Sequence, residues 1–532
     1  MLNSSTLKRT LQGASKRFHT DLSDPARAQR EVLQSILQQN KTCVFGKQHG
    51  FSVINDATSF AARVPISDYE ALSPLIERMS QGETNLLTTH KVLAFEETGG
   101  SNEGSKIIPY TAAGLEAFQN GLLPWLNDLY GHHSDLCDGR FYWAISPACR
   151  VPKVTQAGIP VGMSDVAYFG DEVGSDIAAR LAVPLEANNI ANIEQWRDFT
   201  LQHLFKCESL SLISVWSPSF LTELLRHAVL KRETLAQAIA HGNTSDDMSL
   251  SAIEIRERRA ELVLAELSQP VPDYHRIWTR LRVISCWDHA SAAMGAATLR
   301  RMFPKVQVQG KGLLATEGLV TIPLTGYDYP VLALRSAFYE FMDSYDNVFR
   351  ADQLECEKEY QLLITTHSGL YRYDIGDKVL VRGFAMQTPM LEFTGRSNAT
   401  SDMCGEKLND AFVMKGLAAL GQSFAMLAPN LANNADRNHY VLLLDQGVIG
   451  TLEAISMAAI MEQTLHDNPQ YEYARRIGQL DEVVPVLCDR PLECWLRERM
   501  DKGQRLGDIK IPALLMSTQW KTWAKNVRGD LP

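Results

Sequence analysis

Nowhere in the 532 residues does an apolar run approach the ~18 needed to span a bilayer, which argues against a helical membrane protein. Positive charge is not in excess: 52 Lys and Arg against 62 Asp and Glu leave a formal net charge of −10. No global field therefore draws the chain to nucleic acid or anionic lipid. The nine cysteines, at 43, 137, 149, 207, 286, 356, 404, 488 and 494, include no C-x-x-C pair. Their scatter fits neither a zinc site nor a disulfide framework and suits a reducing cytosol, so a cytoplasmic location is expected. Internal repeats and low-complexity tracts are also missing.

What remains is ordinary globular material, 45% hydrophobic and 21% charged. The length allows about three folding units, or one large domain with a smaller partner. The first 20 residues carry Lys8, Arg9, Lys16 and Arg17 with no acid, which loosely resembles a transit peptide. A capped amphipathic helix with Leu2, Leu7, Leu11 and Phe18 on one side is the better reading.

Residues 1 to 92 read as helical, punctuated by Pro65 and Pro74, and a strand is expected to begin at Lys91. From 110 to 270 short apolar strands such as FYWAIS (141 to 146) alternate with helix-period segments such as 219 to 240, an α/β signature. The charge run EIRERRAE (254 to 261) reads as a solvated helix face. Strands dominate from 280 to 395. After Arg396 the sequence turns polar for about a dozen residues and then resumes α/β periodicity, which sets an expected boundary between a large domain, 1 to 395, and a small one, 396 to 532.

Four segments could carry chemistry. In FEETGGSNEGSKIIPYT (95 to 111), Gly99 and Gly104 bracket four residues as in a Walker A loop. That loop needs Lys directly after the second glycine and a helix to follow. Here Ser105 precedes Lys106, and Ile107, Ile108 and Pro109 read as extended chain. A nucleophile elbow fails because Glu103 stands where glycine is required. A plain hairpin turn explains the glycines but not the grouping of Thr98, Ser101 and Lys106. The remaining reading is a strand-loop-strand whose hydroxyls and N–H groups wrap a polyphosphate.

In VQVQGKGLLATEGLVTIPL (306 to 324), Gly310, Gly312 and Ala315 mimic a dinucleotide fingerprint, but strand-like residues and Pro323 follow instead of a helix. Thr316 and Glu317 there stand between apolar strands, where Glu317 could hold Mg²⁺ beside phosphates or simply cap a turn. In GLYRYDIGDKVLVRGF (369 to 384), Asp377 is expected on a turn, able to accept from a ribose diol. The fourth segment, FTGRSNATSDMCGEKLND (393 to 410), carries Arg396 and Lys407, and GQRLGDIKIP later carries Lys510.

In order and spacing these segments resemble the adenylate-forming enzymes, and within them the Gretchen Hagen family of acyl-acid amido synthetases, known in plants for conjugating auxin and jasmonate to amino acids. TGGSNEGSKIIPYT is similar to that family's phosphate loop, ATEG to its short segment ending in Glu, YRYDIGD to its Y-R-x-x-x-G-D, and GDIKIP to its late lysine segment. VPISDYEALSPLIERMSQGE (64 to 83) resembles its N-terminal signature. The resemblance spans about residues 35 to 515. It implies a large N-terminal domain of mixed sheets flanked by helices with a β-barrel-like part, and a smaller, mobile α/β C-terminal domain turning about Arg396 to Asn398.

It also implies roles. Thr98, Gly99, Gly100 and Ser101 would bind ATP phosphates, Thr316 would lie by the nucleotide, and Glu317 would hold Mg²⁺. Asp377 would bind the ribose, while Arg396 and Lys407 would meet the nucleotide and Lys510 would act from the small domain. Glu97 and Gly100 depart from the plant pattern, which has hydroxyl residues there, and no hormone-reading residues transfer. The implied reaction is adenylation of a small carboxylic acid by ATP with Mg²⁺, then amide formation with an amino acid or amine. The alternatives are an acyl-CoA ligase sharing the adenylate and a catalytically inactive scaffold. The sequence sets neither the acid, the acceptor nor the oligomeric state.

Overall fold

The computed structural model describes residues 5–97, 106–144, 153–190, 192–241, 250–289, 292–396, 400–401, 403, 406, 408–422, 424–431, 438–476, 479–504, 506–516, 518 and 520–524. The chain divides into two compact units. One comprises Met1–Trp216, Phe220–Trp287 and Leu299–Phe393, and the other Ser217–Ser219, Asp288–Thr298 and Thr394–Pro532.

Helices open the first unit. Ser5–Asp21 buries Leu7, Leu11 and Phe18 and exposes Lys8, Arg9, Lys16 and Arg17, the amphipathic pattern expected of it. Helix Tyr69–Ser80 is capped by Asp68, whose carboxylate accepts from Ala71 N. It contains Pro74 rather than ending before it. The proline has no N–H for the Glu70 carbonyl, and Ser73 Oγ donates to that oxygen instead at 3.0 Å. Two further expectations need correction. The 219–240 segment is two helices, Pro218–Leu230 and Arg232–His241. On helix Leu250–Leu267, Arg256 and Arg259 are buried rather than solvated. Arg259 donates to the carbonyls of Phe205 and Ile277, both at 2.7 Å, so this charge run ties helices together.

Three sheets frame the first unit. Strands Val92–Glu97 and Ile107–Thr111 pair antiparallel and share a four-stranded sheet with Pro160–Val161 and Lys153–Val154. A second sheet is parallel throughout, in the order Arg140–Ala144, Leu210–Val215, Val283–Cys286, Gln307–Gly310. Its two middle strands, LSLISV and VISC, are buried along their whole length, as parallel strands covered on both faces are. The third has seven strands built from antiparallel pairs, with Glu359–Thr365, Tyr373–Ala385 and Thr388–Arg396 among them.

In the second unit Ala425–Asn430, His439–Asp445 and Val484–Cys488 form a mixed sheet. The late segment Ala513 to Leu515 runs beside its first strand, with Leu427 N donating to Ala513 O and Leu515 N to Leu427 O, both at 2.8 Å. Among the described residues no helix is long and apolar enough to cross a membrane.

Candidate active site

The expected phosphate loop joins two paired strand ends, with register from Val92↔Thr111 to Glu97↔Ile107. Thr98, Gly99, Gly100 and Ser101 lie outside the described residues, as does Lys407. Around the loop the chain is firmly held. Tyr69 Oη accepts from Ile107 N at 3.1 Å, and the Lys106 ammonium sits 5.4 Å from the Tyr69 ring centroid. Ile107 to Thr111 is strand, which excludes the helix a Walker loop requires. Glu97, where the family pattern has a hydroxyl, pairs with Lys153 at 3.0 Å.

Thr316 and Glu317 form the two-residue turn of a small hairpin, Leu314–Ala315 with Gly318–Leu319, in register Ala315↔Gly318. The phosphate-loop strands hold this turn. Tyr110 Oη donates to Thr316 O at 2.7 Å. Burial raises the Tyr110 pKa, and the negative charges of Glu96 and Glu317 raise it further, which keeps the hydroxyl protonated as a donor. Glu96 is itself buried, with Oε1 accepting from Met163 N at 2.6 Å. Two carboxylates thus act on one tyrosine.

A third segment meets the same place. Thr111 caps helix Ala112–His132 by accepting from Gly114 N, and Ser368 Oγ accepts from Thr111 N at 3.3 Å. A Cβ on Gly114 would come within 2.0 Å of Ser368 Oγ, so this close approach requires glycine. Ser368 precedes the YRYDIGD segment, where Asp377 departs from expectation. It is not on a turn but inside strand Tyr373–Ala385, and it is buried. The pairing jumps there, from Gln361↔Lys378 to Leu363↔Asp374, leaving Ile375, Gly376 and Asp377 as a bulge opposite Leu362. Gly376 adopts φ 74°, the left-handed backbone that makes the bulge possible.

Arg372 anchors this strand's start. It is buried, has φ 43°, pairs with Glu340 at 2.9 Å and donates to the carbonyls of Ala61 and Val64. Burial pushes the Glu340 carboxyl up while Arg372 opposes the shift, the signature of an ion pair taken out of water. His367 is buried too, which lowers its pKa to about 4, helped by His90, and Nδ1 bonds Gln39 Oε1 at 2.8 Å.

Arg396 ends strand Thr388–Arg396 with its side chain exposed. In the second unit Lys510 is exposed, its carbonyl accepting from Trp495 Nε1 at 3.2 Å. Glu406, next to Lys407, is fully buried and accepts from Tyr440 Oη and from Met403 N. The structure thus gathers strands Val92–Glu97 and Ile107–Thr111, the Thr316–Glu317 turn and the Ser368 segment within the first unit. Sequence reasoning missed Glu96, Tyr110 and Ser368. Tyr110 is the penultimate residue of the KIIPYT stretch, but nothing in the sequence reveals that its hydroxyl crosses to Thr316.

No group of three or more His, Cys, Asp or Glu able to hold a metal occurs among the described residues. Glu317 is half-buried on its turn.

Residues 14–308 match the GH3 family N-terminal domain and residues 330–396 the GH3 family central domain. The chain is 24% identical to the indole-3-acetic acid-amido synthetase GH3.4 of Arabidopsis thaliana, over 93% of this chain and 90% of that protein. The fold is similar to that of the AtGH3.15 acyl acid amido synthetase solved in complex with 2,4-DB, with a TM-score of 0.85 at 17% identity, over 98% of this chain and 96% of that one. A 2-hydroxyisobutyryl-CoA ligase in its postadenylation state superposes with a TM-score of 0.54 at 12% identity, over 93% and 90% of the two chains. The family domains cover more than half of the sequence, and the chain belongs to the GH3 family, the Gretchen Hagen family.

Proposed function

We propose that the protein is an ATP-dependent acyl-acid amido synthetase. The observation that carries this reading is the bond from Tyr110 to the Thr316 carbonyl, which joins the phosphate-loop strands to the Glu317 turn. In the first step a carboxylate oxygen of the acid attacks the α-phosphorus of ATP. The bond to the bridging oxygen breaks, and pyrophosphate leaves with the electron pair. In the second step an amine attacks the acyl carbonyl, AMP departs with the C–O electron pair, and the amine loses a proton.

Charge builds on phosphoryl oxygens in the first transition state, where preorganised donors contribute most. Thr98, Gly99, Gly100 and Ser101 supply hydroxyl and N–H donors, and Thr316 positions the nucleotide. Asp377 accepts from the ribose hydroxyls. Glu317 holds Mg²⁺, which when bound neutralises phosphate charge. Arg396, Lys407 and Lys510 supply positive charge, the two lysines from a small domain of residues 396–532 that moves between the half-reactions. The acceptor is an amino acid or another amine. The setting is cytoplasmic, in keeping with the scattered cysteines of the sequence.

The test is mass spectrometry after incubation with MgATP, a carboxylic acid library and either mixed amino acids or coenzyme A. An amide product with AMP is expected. A coenzyme A thioester as the sole product would make the protein an acyl-CoA ligase instead.

A further inference from the structure

One row of side chains crosses the parallel sheet near the carboxyl ends of its strands. Trp143 pairs with Ser214, Ser214 with Ser285, and Ser285 with Gln309, so the four share one face. Ser214 and Ser285 are fully buried. Lys311 follows the last strand, and its ammonium donates to Ser214 Oγ at 2.6 Å and Ser285 Oγ at 3.3 Å. Three indole rings surround that ammonium, with centroids of Trp216, Trp143 and Trp125 at 5.6, 5.7 and 6.0 Å. Trp125 Nε1 is satisfied by Gln309 Oε1 at 2.9 Å. Trp143 Nε1 is buried and has no hydrogen-bond partner.

Ligands of open α/β sheets bind outside the carboxyl ends of the strands. Here that edge offers flat aromatic walls, a cation, two hydroxyls and an indole N–H in want of an acceptor. Buried donors are ordinarily paired. An anionic acceptor on a flat skeleton supplies what the row lacks. The reacting carboxylate itself belongs at the phosphates by Glu317. Lys311 stands five residues before Thr316, which at ~3.3 Å per residue allows a separation of up to ~17 Å. A substrate with acidic groups at both ends would place one at the phosphates and the other at Lys311, wherever within that limit the two lie.

We propose that this row is the distal end of the acyl pocket and selects flat dicarboxylic acids, the second carboxylate being received by the Lys311 ammonium and Trp143 Nε1–H. This rests on the amido synthetase reading. A site built to bond an anion rejects analogues lacking it, because its polar groups are then left unpaired.

The experiment compares terephthalate with benzoate in ATP–pyrophosphate exchange without amine. Terephthalate is expected to exceed benzoate by ~100-fold in kcat/KM. Lys311→Met is expected to collapse that ratio ~100-fold, and Trp143→Phe, which keeps a ring and removes the N–H, by ~10-fold. Benzoate equal to or better than terephthalate in the native protein overturns the proposal, as does an unchanged ratio in the variants. Equal loss of both acids in Lys311→Met overturns it too, since Lys311 would then hold the reacting carboxylate. If Lys311→Met does not fold, Trp143→Phe and the native pair decide. Absence of exchange with every acid counts against the adenylation reading instead. Tryptophan fluorescence titration with the same two acids then decides the pocket separately: preferential quenching by terephthalate, lost in Trp143→Phe, supports the proposal, and equal or no quenching overturns it.

Discussion

Glu317 and Asp377 look alike in sequence, each an acid beside a glycine between apolar runs, yet the fold treats them differently. Glu317 sits half-buried on a two-residue hairpin turn whose backbone is held by Tyr110. Asp377 lies buried within a long strand, on a bulge that exists because Gly376 accepts a left-handed backbone. A turn places a carboxylate at little cost to the fold, so replacing it removes chemistry and leaves structure intact. A buried bulge couples binding to folding, so changes around it register in stability as well as in activity.

The sharpest way to break this contrast is Arg372, which ties the bulged strand to Glu340 and to the carbonyls of Ala61 and Val64. Arg372→Met leaves a buried carboxylate unpaired and is expected to cost about 3–5 kcal/mol in urea unfolding. A loss below ~1 kcal/mol would mean that the bulge does not depend on this pair. On the turn side, Glu317→Ala is expected to lower turnover more than ~100-fold while shifting stability by less than ~0.5 kcal/mol. Undiminished turnover in the folded variant would reduce Glu317 to a turn residue.

The pH dependence of stability sharpens the comparison further. His367, next to Ser368, titrates at about 4 in the folded protein, against ~6.5 in an unfolded chain. As pH falls, the unfolded chain takes up the proton first. This contribution is complete above pH ~6.5 and is lost as pH falls toward 4. Between pH 7 and pH 5 the native protein should lose about 2 kcal/mol more than His367→Gln. Parallel curves for the two would show that His367 protonates as readily folded as unfolded. The smallest effect belongs to Asp377→Ala. With the proposed ribose role it is expected to raise the KM for ATP by about 10-fold, because ribose contacts are similar in ground and transition states, and to lower stability as well, since its carboxylate is buried in the bulge. A fall in kcat at constant KM would assign Asp377 to the chemical step.

Local patterns were legible where the residues themselves carry the reason. HYVLLLD forms its strand at His439–Asp445, and Ile107 to Thr111 is extended as β-branched residues and proline suggest. Features set by distant partners were not legible. Pro74 is tolerated because Ser73 serves Glu70, Arg259 reaches carbonyls 54 and 18 residues away, and Arg372 meets Glu340 32 residues upstream. Thr316 and Glu317 could be placed on a turn from apolar strands on both sides, whereas the bulge at Asp377 depends on a pairing register that one strand alone does not encode.

The central claim is that an acyl-adenylate forms before any acceptor is needed. Exchange of labelled pyrophosphate into ATP, with Mg²⁺ and a competent acid but no amine or coenzyme A, tests it most directly. The account predicts acid-dependent exchange that Glu317→Ala abolishes. Exchange that arises only once an amine is added would contradict it.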